Sequence, residues 1–173
     1  MSQTQPGILD SVPAQGRYLF FDLFAGADPR PSLQALRDLA DGGLAVIGMG
    51  HSLTLALGAE IDGLRVFPAL VGKGIEVPST PSALWCWLRG DDRGDLLHQA
   101  RAVEQTVSGA FGLTHCVDAF RHGAGLDLTG YEDGTENPVG ESAVEAAVAN
   151  GTGAGLDGGS FVAVQQWQHD FDT

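Results

Sequence analysis

Four carboxylates, Asp127, Glu132, Asp133 and Glu136, crowd the run Asp127-Leu-Thr-Gly-Tyr-Glu-Asp-Gly-Thr-Glu-Asn-Pro138. Carboxylates at such density can hold a hard cation, carry protons or cap turns. A calcium loop needs Gly at position 6 and Glu at position 12. Counted from Asp127, those positions hold Glu132 and Pro138, so calcium fails. Asp133-Gly134 and Asn137-Pro138 are turn formers, and local chemistry alone expects a solvated loop with a capping Asp. His51, His98, His115, His122 and His169 contain no i, i+4 pair, so nothing in their spacing asks for zinc, and surface or structurally bonded imidazoles are expected. Ser52 lacks the Gly-x-Ser-x-Gly frame of a nucleophile elbow. Gly151-Thr-Gly-Ala-Gly155 has the look of a phosphate loop, but no strand precedes it and no helix opens after it, so it reads as linker. Cys86 and Cys116 fit no metal-ligand spacing and sit in apolar runs, which points to buried free thiols in a reducing compartment.

Composition narrows the partners. Lys and Arg number 9 against 22 Asp and Glu, a net charge of −13 over 173 residues with a pI near 4.4. No basic stripe is present to track phosphates, which argues against nucleic acid and anionic membrane. Hydrophobic residues make up 43% and charged ones 18%, so the chain can bury a core. Residues 42–59 lack charged side chains, but the glycines and His51 among them make a poor membrane span. Met1 to Arg17 carries Asp10 and no basic residue ahead of an apolar stretch, so no secretory signal is read and the cytoplasm is expected.

The elements that must position these residues come from periodicity. Residues 17–24, Arg-Tyr-Leu-Phe-Phe-Asp-Leu-Phe, predict a strand with Leu19, Phe21 and Leu23 on one face. Residues 31–41 place Leu33, Leu36 and Leu39 at helical spacing, with Ser32 as cap and Gly42-Gly43 as stop. Residues 44–48 predict a second strand and 64–70 a short extended piece. Residues 83–89 predict a strand with Leu84, Cys86 and Leu88 on one face and Trp85 and Trp87 on the other, both apolar and both therefore covered. Asp91, Asp92 and Asp95 open a helix running through Leu96, Ala100, Val103, Val107, Ala110 and Phe111. A strand over 115–121 completes the order strand, helix, strand, strand, helix, strand, which suits an α+β ferredoxin-like domain over 1–122. A Gly-rich connecting segment follows over 123–158. Residues 159–173 then predict the first strand of a second, incomplete domain, a strand that must add to the first sheet, pair with another chain or open a further domain.

The run Gly130-Tyr-Glu-Asp-Gly134, with Asp127-Leu-Thr129 before it and Thr135-Glu-Asn-Pro138 after it, resembles the Gly-x-x-Asp-Gly signature of the dye-decolourising (DyP-type) haem peroxidases. Gln5-Pro-Gly-Ile-Leu9, the strand over 83–89 with its Gly90-Asp-Asp-Arg-Gly94 turn, and Gly158-Gly-Ser-Phe-Val162 followed by Gln165-Gln-Trp-Gln-His169 are similar in order and spacing. The resemblance implies two ferredoxin-like domains with haem b held mainly by the second. It places Asp133 on the distal side of the haem, with Gly134, Thr135 and Glu136 lining the cofactor. It also implies hydrogen peroxide and small aromatic reductants as substrates. The proximal His and a distal Arg are expected from the other half of the protein; His169 matches a histidine that is not the iron ligand.

Peroxide heterolysis needs a base that takes a proton from one oxygen and returns it to the departing one, and a positioned carboxylate can serve. A carboxylate also stays a base in mildly acidic solution, where imidazole is already charged. Two function classes follow: the distal half of a haem peroxidase, or a haem-free ferredoxin-like association module. In either, self-association or association with the missing C-terminal half is expected.

Overall fold

The computed structural model describes residues 4–41, 43, 45–153, 155–167 and 171. Its centre is a four-stranded antiparallel sheet of β1 (Gln15–Leu23), β2 (Ala45–Met49), β5 (Leu84–Gly90) and β6 (Phe111–Phe120), in the order β2-β5-β1-β6. Between β2 and β5 lies a two-stranded hairpin of β3 (Leu70–Val71) and β4 (Glu76–Val77). Helices α1 (Arg30–Asp41) and α3 (Arg93–Val107) lie against one sheet face. The result is the α+β, ferredoxin-like arrangement expected from the element order.

That face is the core. Leu19 and Phe21 of β1, Leu84, Cys86 and Leu88 of β5, Leu36 of α1, and Leu96, Val103 and Val107 of α3 are buried together. Burial on β5 alternates residue by residue, so Trp85 and Trp87 point to the opposite face and are half-buried there. Cys86 sits in the core, and burial pushes its thiol up to about 12. It therefore stays protonated and unreactive at neutral pH. Cys116 is also free, but only half-buried, because β6 is an edge strand.

Several boundaries differ from those read in the sequence. Ser32 does not cap α1: the Asp28 carboxylate accepts from the Arg30 amide at 3.1 Å and Ser32 is buried. In α3 the Asp92 carboxylate caps by accepting from the Asp95 amide at 2.9 Å, as the acidic run implied. Helix α3 stops at Val107, not at Phe111; Ala110 and Phe111 are buried where β6 begins, four residues before the expected 115. The turn through Gly109 ends the helix, so apolar residues in helical register serve the strand instead.

Two helices were not expected. Helix α2 (His51–Ala56) follows Gly50, whose amide bonds the Ala83 carbonyl at 2.8 Å. A Cβ at Gly50 would stand 1.9 Å from the Ser82 carbonyl oxygen, so only glycine lets these backbones approach. Helix α4 (Glu141–Ala147) interrupts the Gly-rich segment. The extended piece expected over 64–70 is irregular up to β3. The strand expected over 159–167 does not form; a strand needs a neighbour, and among the described residues the segment joins no sheet. The rest of the expected 159–173 element lies outside the described residues, apart from Phe171.

Candidate functional site

Asp133 stands on the loop that follows β6. His122 bridges Leu126 and Leu126 bridges Glu132, folding the chain back on itself, and the Asp133 amide bonds the Gly125 carbonyl at 3.4 Å. The loop is pinned from inside by Asp127. Its Oδ1 accepts from the Thr129 hydroxyl, from the Thr129 amide at 2.8 Å and from the Tyr131 amide at 3.3 Å. Asp127 is thus the capping Asp, while Glu132, Asp133 and Glu136 are exposed. Beyond it, Gly134 adopts φ +77°, and a Cβ there would lie 2.6 Å from Asn137 Nδ2, so glycine is required for the turn.

The Thr129 hydroxyl, followed by the Thr129 and Tyr131 amides, holds the Asp127 carboxyl below the usual carboxylate range. A lowered folded value stabilises the loop in full above the unfolded pKa of about 3.9, and that contribution is lost as pH falls through the lower folded value. Protection of the Thr129 and Tyr131 amides from hydrogen exchange is therefore expected to persist at neutral pH and to fail in strong acid. Asp127→Ala should remove it at every pH. Protection unchanged in that variant would show that the carboxylate does not hold the turn.

Asp133, Gly134, Thr135 and Glu136 are brought together as consecutive residues, and all four are exposed. None of them lines the cleft described next. Among the described residues they do not form an enclosure for a large planar cofactor. His169 lies outside the described residues. The Gly151-to-Gly155 run closes on Asp157, whose Oδ1 accepts from the Thr152 amide and hydroxyl and the Gly153 amide. The amides that would cradle a phosphate are occupied by the chain's own carboxylate, in keeping with the linker reading.

A second feature lies on the sheet face away from α1 and α3. Tyr18 of β1 stacks between Trp85 and Trp87 of β5, with centroids 5.9 Å apart in both pairs and planes within 19° and 15°. The Arg89 guanidinium sits 4.6 Å above the Trp87 ring. Gly48 and Gly16 leave room for the indoles: a Cβ on either would come within 3.0 Å of Trp85 or Trp87 respectively. Facing this platform are the end of α4 and residues 160–165, across a cleft of about 750 Å³ that Ile8 and Val46 also line. Phe161 is 63% exposed and Trp167 74% exposed, so the segment opposite the platform leaves much of its own apolar surface bare. The sequence showed the aromatic side chains but not this cleft, which depends on strand pairing and on where the tail lies.

Residues 124–173 match the family described as Dyp-type peroxidase, C-terminal. A dye-decolorizing peroxidase of Rhodococcus erythropolis is 33% identical over 132 residues, covering 75% of this chain and 39% of that relative. A Shewanella oneidensis protein described as a dyp-type peroxidase superposes with a TM-score of 0.81 at 25% identity, covering 91% of this chain and 56% of the other. The chain belongs to the DyP-type peroxidase family. It spans well under half of the first of these relatives and little more than half of the second. The fold is shared with a variant of Rhodococcus jostii RHA1 DypB solved in complex with heme, at TM-score 0.73 and 22% identity over 84% of this chain and 52% of that one.

Within this DyP-type chain the Gly-x-x-Asp-Gly run is an ordered turn system with Asp127 as its internal pin. The sequence places a capping Asp in this run without saying which of the Asp residues it is. The Asp127-x-Thr129 spacing, a signature of side-chain-capped turns, was the available signal. Among the described residues no group of three or more His, Cys, Asp or Glu is arranged to hold a metal ion. No helix among them is long and apolar enough to cross a membrane.

Proposed function

We propose that this chain supplies the distal, proton-handling part of a haem peroxidase of the dye-decolourising type, with Asp133 as the acid-base residue. The observation that carries this reading is the exposed Asp133 carboxylate on a loop held by Asp127, inside the run by which the chain resembles the family. Haem b bound in the complete protein would supply the iron chemistry. What this chain brings is a carboxylate that takes a proton from one peroxide oxygen and returns it to the leaving oxygen. Gly134, Thr135 and Glu136 would form part of the wall beside the cofactor. On this reading the remaining walls, the proximal His and a distal Arg come from the part of the longer relatives that this chain does not match. Hydrogen peroxide and small aromatic reductants are the substrates of this reading, and the cytoplasm its compartment.

The same reading has the chain associate with such a C-terminal half, or with itself. The segment 161–167, which joins no sheet among the described residues, and the aromatic platform are the surfaces that association would cover. Haem titration of the purified 18.0 kDa chain is expected to give no saturable one-to-one complex and no peroxidase turnover. Co-expression with the completing C-terminal half is expected to restore both. Stoichiometric haem and turnover in the chain alone would overturn the division of labour. The bare apolar surface also favours a second reading, a haem-free association module. Complementation that gives a stable complex but takes up no haem would select it.

A further inference from the structure

The N-terminal segment makes an unusual contact with the sheet. Gln5 Nε2 donates to the Ile47 carbonyl at 2.8 Å, and the Ile47 amide donates back to Gln5 Oε1 at 2.8 Å. One side-chain carboxamide thus makes the pair of bonds that a neighbouring strand residue would make. Ile47 is the central residue of β2, and β2 is an edge, bonded only to β5. Because backbone groups alternate in direction along a strand, Ala45, Ile47 and Met49 face outward from the sheet and Val46 and Gly48 face β5. Gln5 therefore occupies the middle of the three outward-facing positions of β2.

The segment is tied down beyond that contact. Gly7, at φ +97°, lies so close to Arg89 that a Cβ would stand 2.4 Å from its Nη1. Arg89 Nη2 donates to the Ser11 carbonyl at 2.6 Å, and Asp10 lies 3.6 Å from Arg89 Nη1. The Arg121 amide donates to the Ala14 carbonyl at 3.0 Å. Residues 5–14 thus form a strap that runs from the β2 edge over β5 to the end of β6, and Ile8 places it at the mouth of the aromatic cleft.

We propose that this strap is an edge guard keyed by Gln5, and that its withdrawal opens β2 to antiparallel pairing with β2 of a second copy of this chain. A twofold axis through Ile47 would let the two Ile47 residues exchange the two bonds that Gln5 now makes, with Ala45 opposite Met49 of the other copy. Edge strands with free amides and carbonyls pair in this way unless something blocks them. Here the block is one neutral amide that carries both donor and acceptor. A carboxylate in its place would lack the donor, and a thioether would lack both.

The test compares the wild-type chain with Gln5→Met and Gln5→Glu. In the wild type, the Ile47 amide is expected to exchange at least tenfold more slowly than the outward-facing Met49 amide; equal rates would overturn the proposal without any variant. Gln5→Met should abolish that difference and leave the core Leu19 amide protected, which verifies folding. Gln5→Glu keeps an acceptor for the Ile47 amide and loses the donor to its carbonyl, so it should fall between the two. Sedimentation at several concentrations should show self-association rising in Gln5→Met over whatever level the wild type has. Adding Ile47→Pro, which removes the amide at the centre of the edge, should return it to that level. Association unchanged in Gln5→Met, or undiminished by Ile47→Pro, would overturn edge guarding.

Discussion

Asp133→Asn in the complete protein is expected to lower peroxide-driven turnover by about 100-fold or more, the usual size of the loss when a general base is removed. Asn keeps the shape of the side chain and leaves the bond from the residue 133 amide to the Gly125 carbonyl in place, so the loop should stand as it does now. Haem content should be unchanged, because the substitution removes a proton acceptor and no ligand. The deficit should appear in the first step after mixing with peroxide, where stopped-flow spectra follow the oxidised haem, and not in the later oxidation of the reductant. Glu132→Gln is the control. It removes an adjacent exposed carboxylate that this reading gives no role, so turnover should stay close to that of the wild type. A comparable loss in both variants would mean that the loop acts through its overall negative charge. An unaltered first step in Asp133→Asn would assign the proton transfer to another group.

The parts of this molecule that were legible in the sequence are those decided by local pattern. β1 and β5 were readable as short aromatic and apolar runs bounded by turn-forming residues, and α3 because its apolar residues follow helical spacing behind an acidic cap. Their order alone gave the ferredoxin-like arrangement. What was not legible depends on partners far away in sequence. Helix α2 begins at a glycine whose necessity comes from the Ser82 carbonyl, and nothing near Gly50 announces that contact. The start of β6 was hidden because Ala110 and Phe111 continue the helical register of α3 and bury themselves in the same core. The strand expected over 159–167 shows the converse: its pattern is right for a strand, and among the described residues no neighbour completes it.

The candidate site divides along the same line. Asp133 was singled out by a family resemblance, and its exposure to solvent follows from the turn chemistry of Asp127, Thr129 and Gly134, all local. Gln5 was noticed only as part of a similar stretch. Its role rests on a strand residue 42 positions away and on β2 being an edge. Edge positions follow from topology, which periodicity does not specify.

The two faces of the sheet should answer very differently to truncation, and that difference is the second large effect. Phe21 is fully buried, paired with Leu84 across β1 and β5 and enclosed by the helix-covered core. Phe21→Ala removes an aromatic ring from a site that collapses poorly, and such changes cost about 3–5 kcal/mol. Against a total stability of about 5–15 kcal/mol this is a large fraction, equivalent to a fall in melting temperature of roughly 10–20 °C. Trp87 is the larger side chain, but it lies on the half-open aromatic face with Tyr18 beneath it and Arg89 above. It is only partly buried in the isolated chain, whereas Phe21 is fully buried, so Trp87→Ala should cost less than Phe21→Ala there. If, as proposed, a completing C-terminal half covers the platform, the order should narrow or invert in the complex, because Trp87→Ala then loses contacts on both sides. Thermal unfolding of both variants, alone and in the complex, measures this directly. A larger loss for Trp87→Ala in the isolated chain would show that the aromatic face, and not the helix-covered face, is what holds this sheet together.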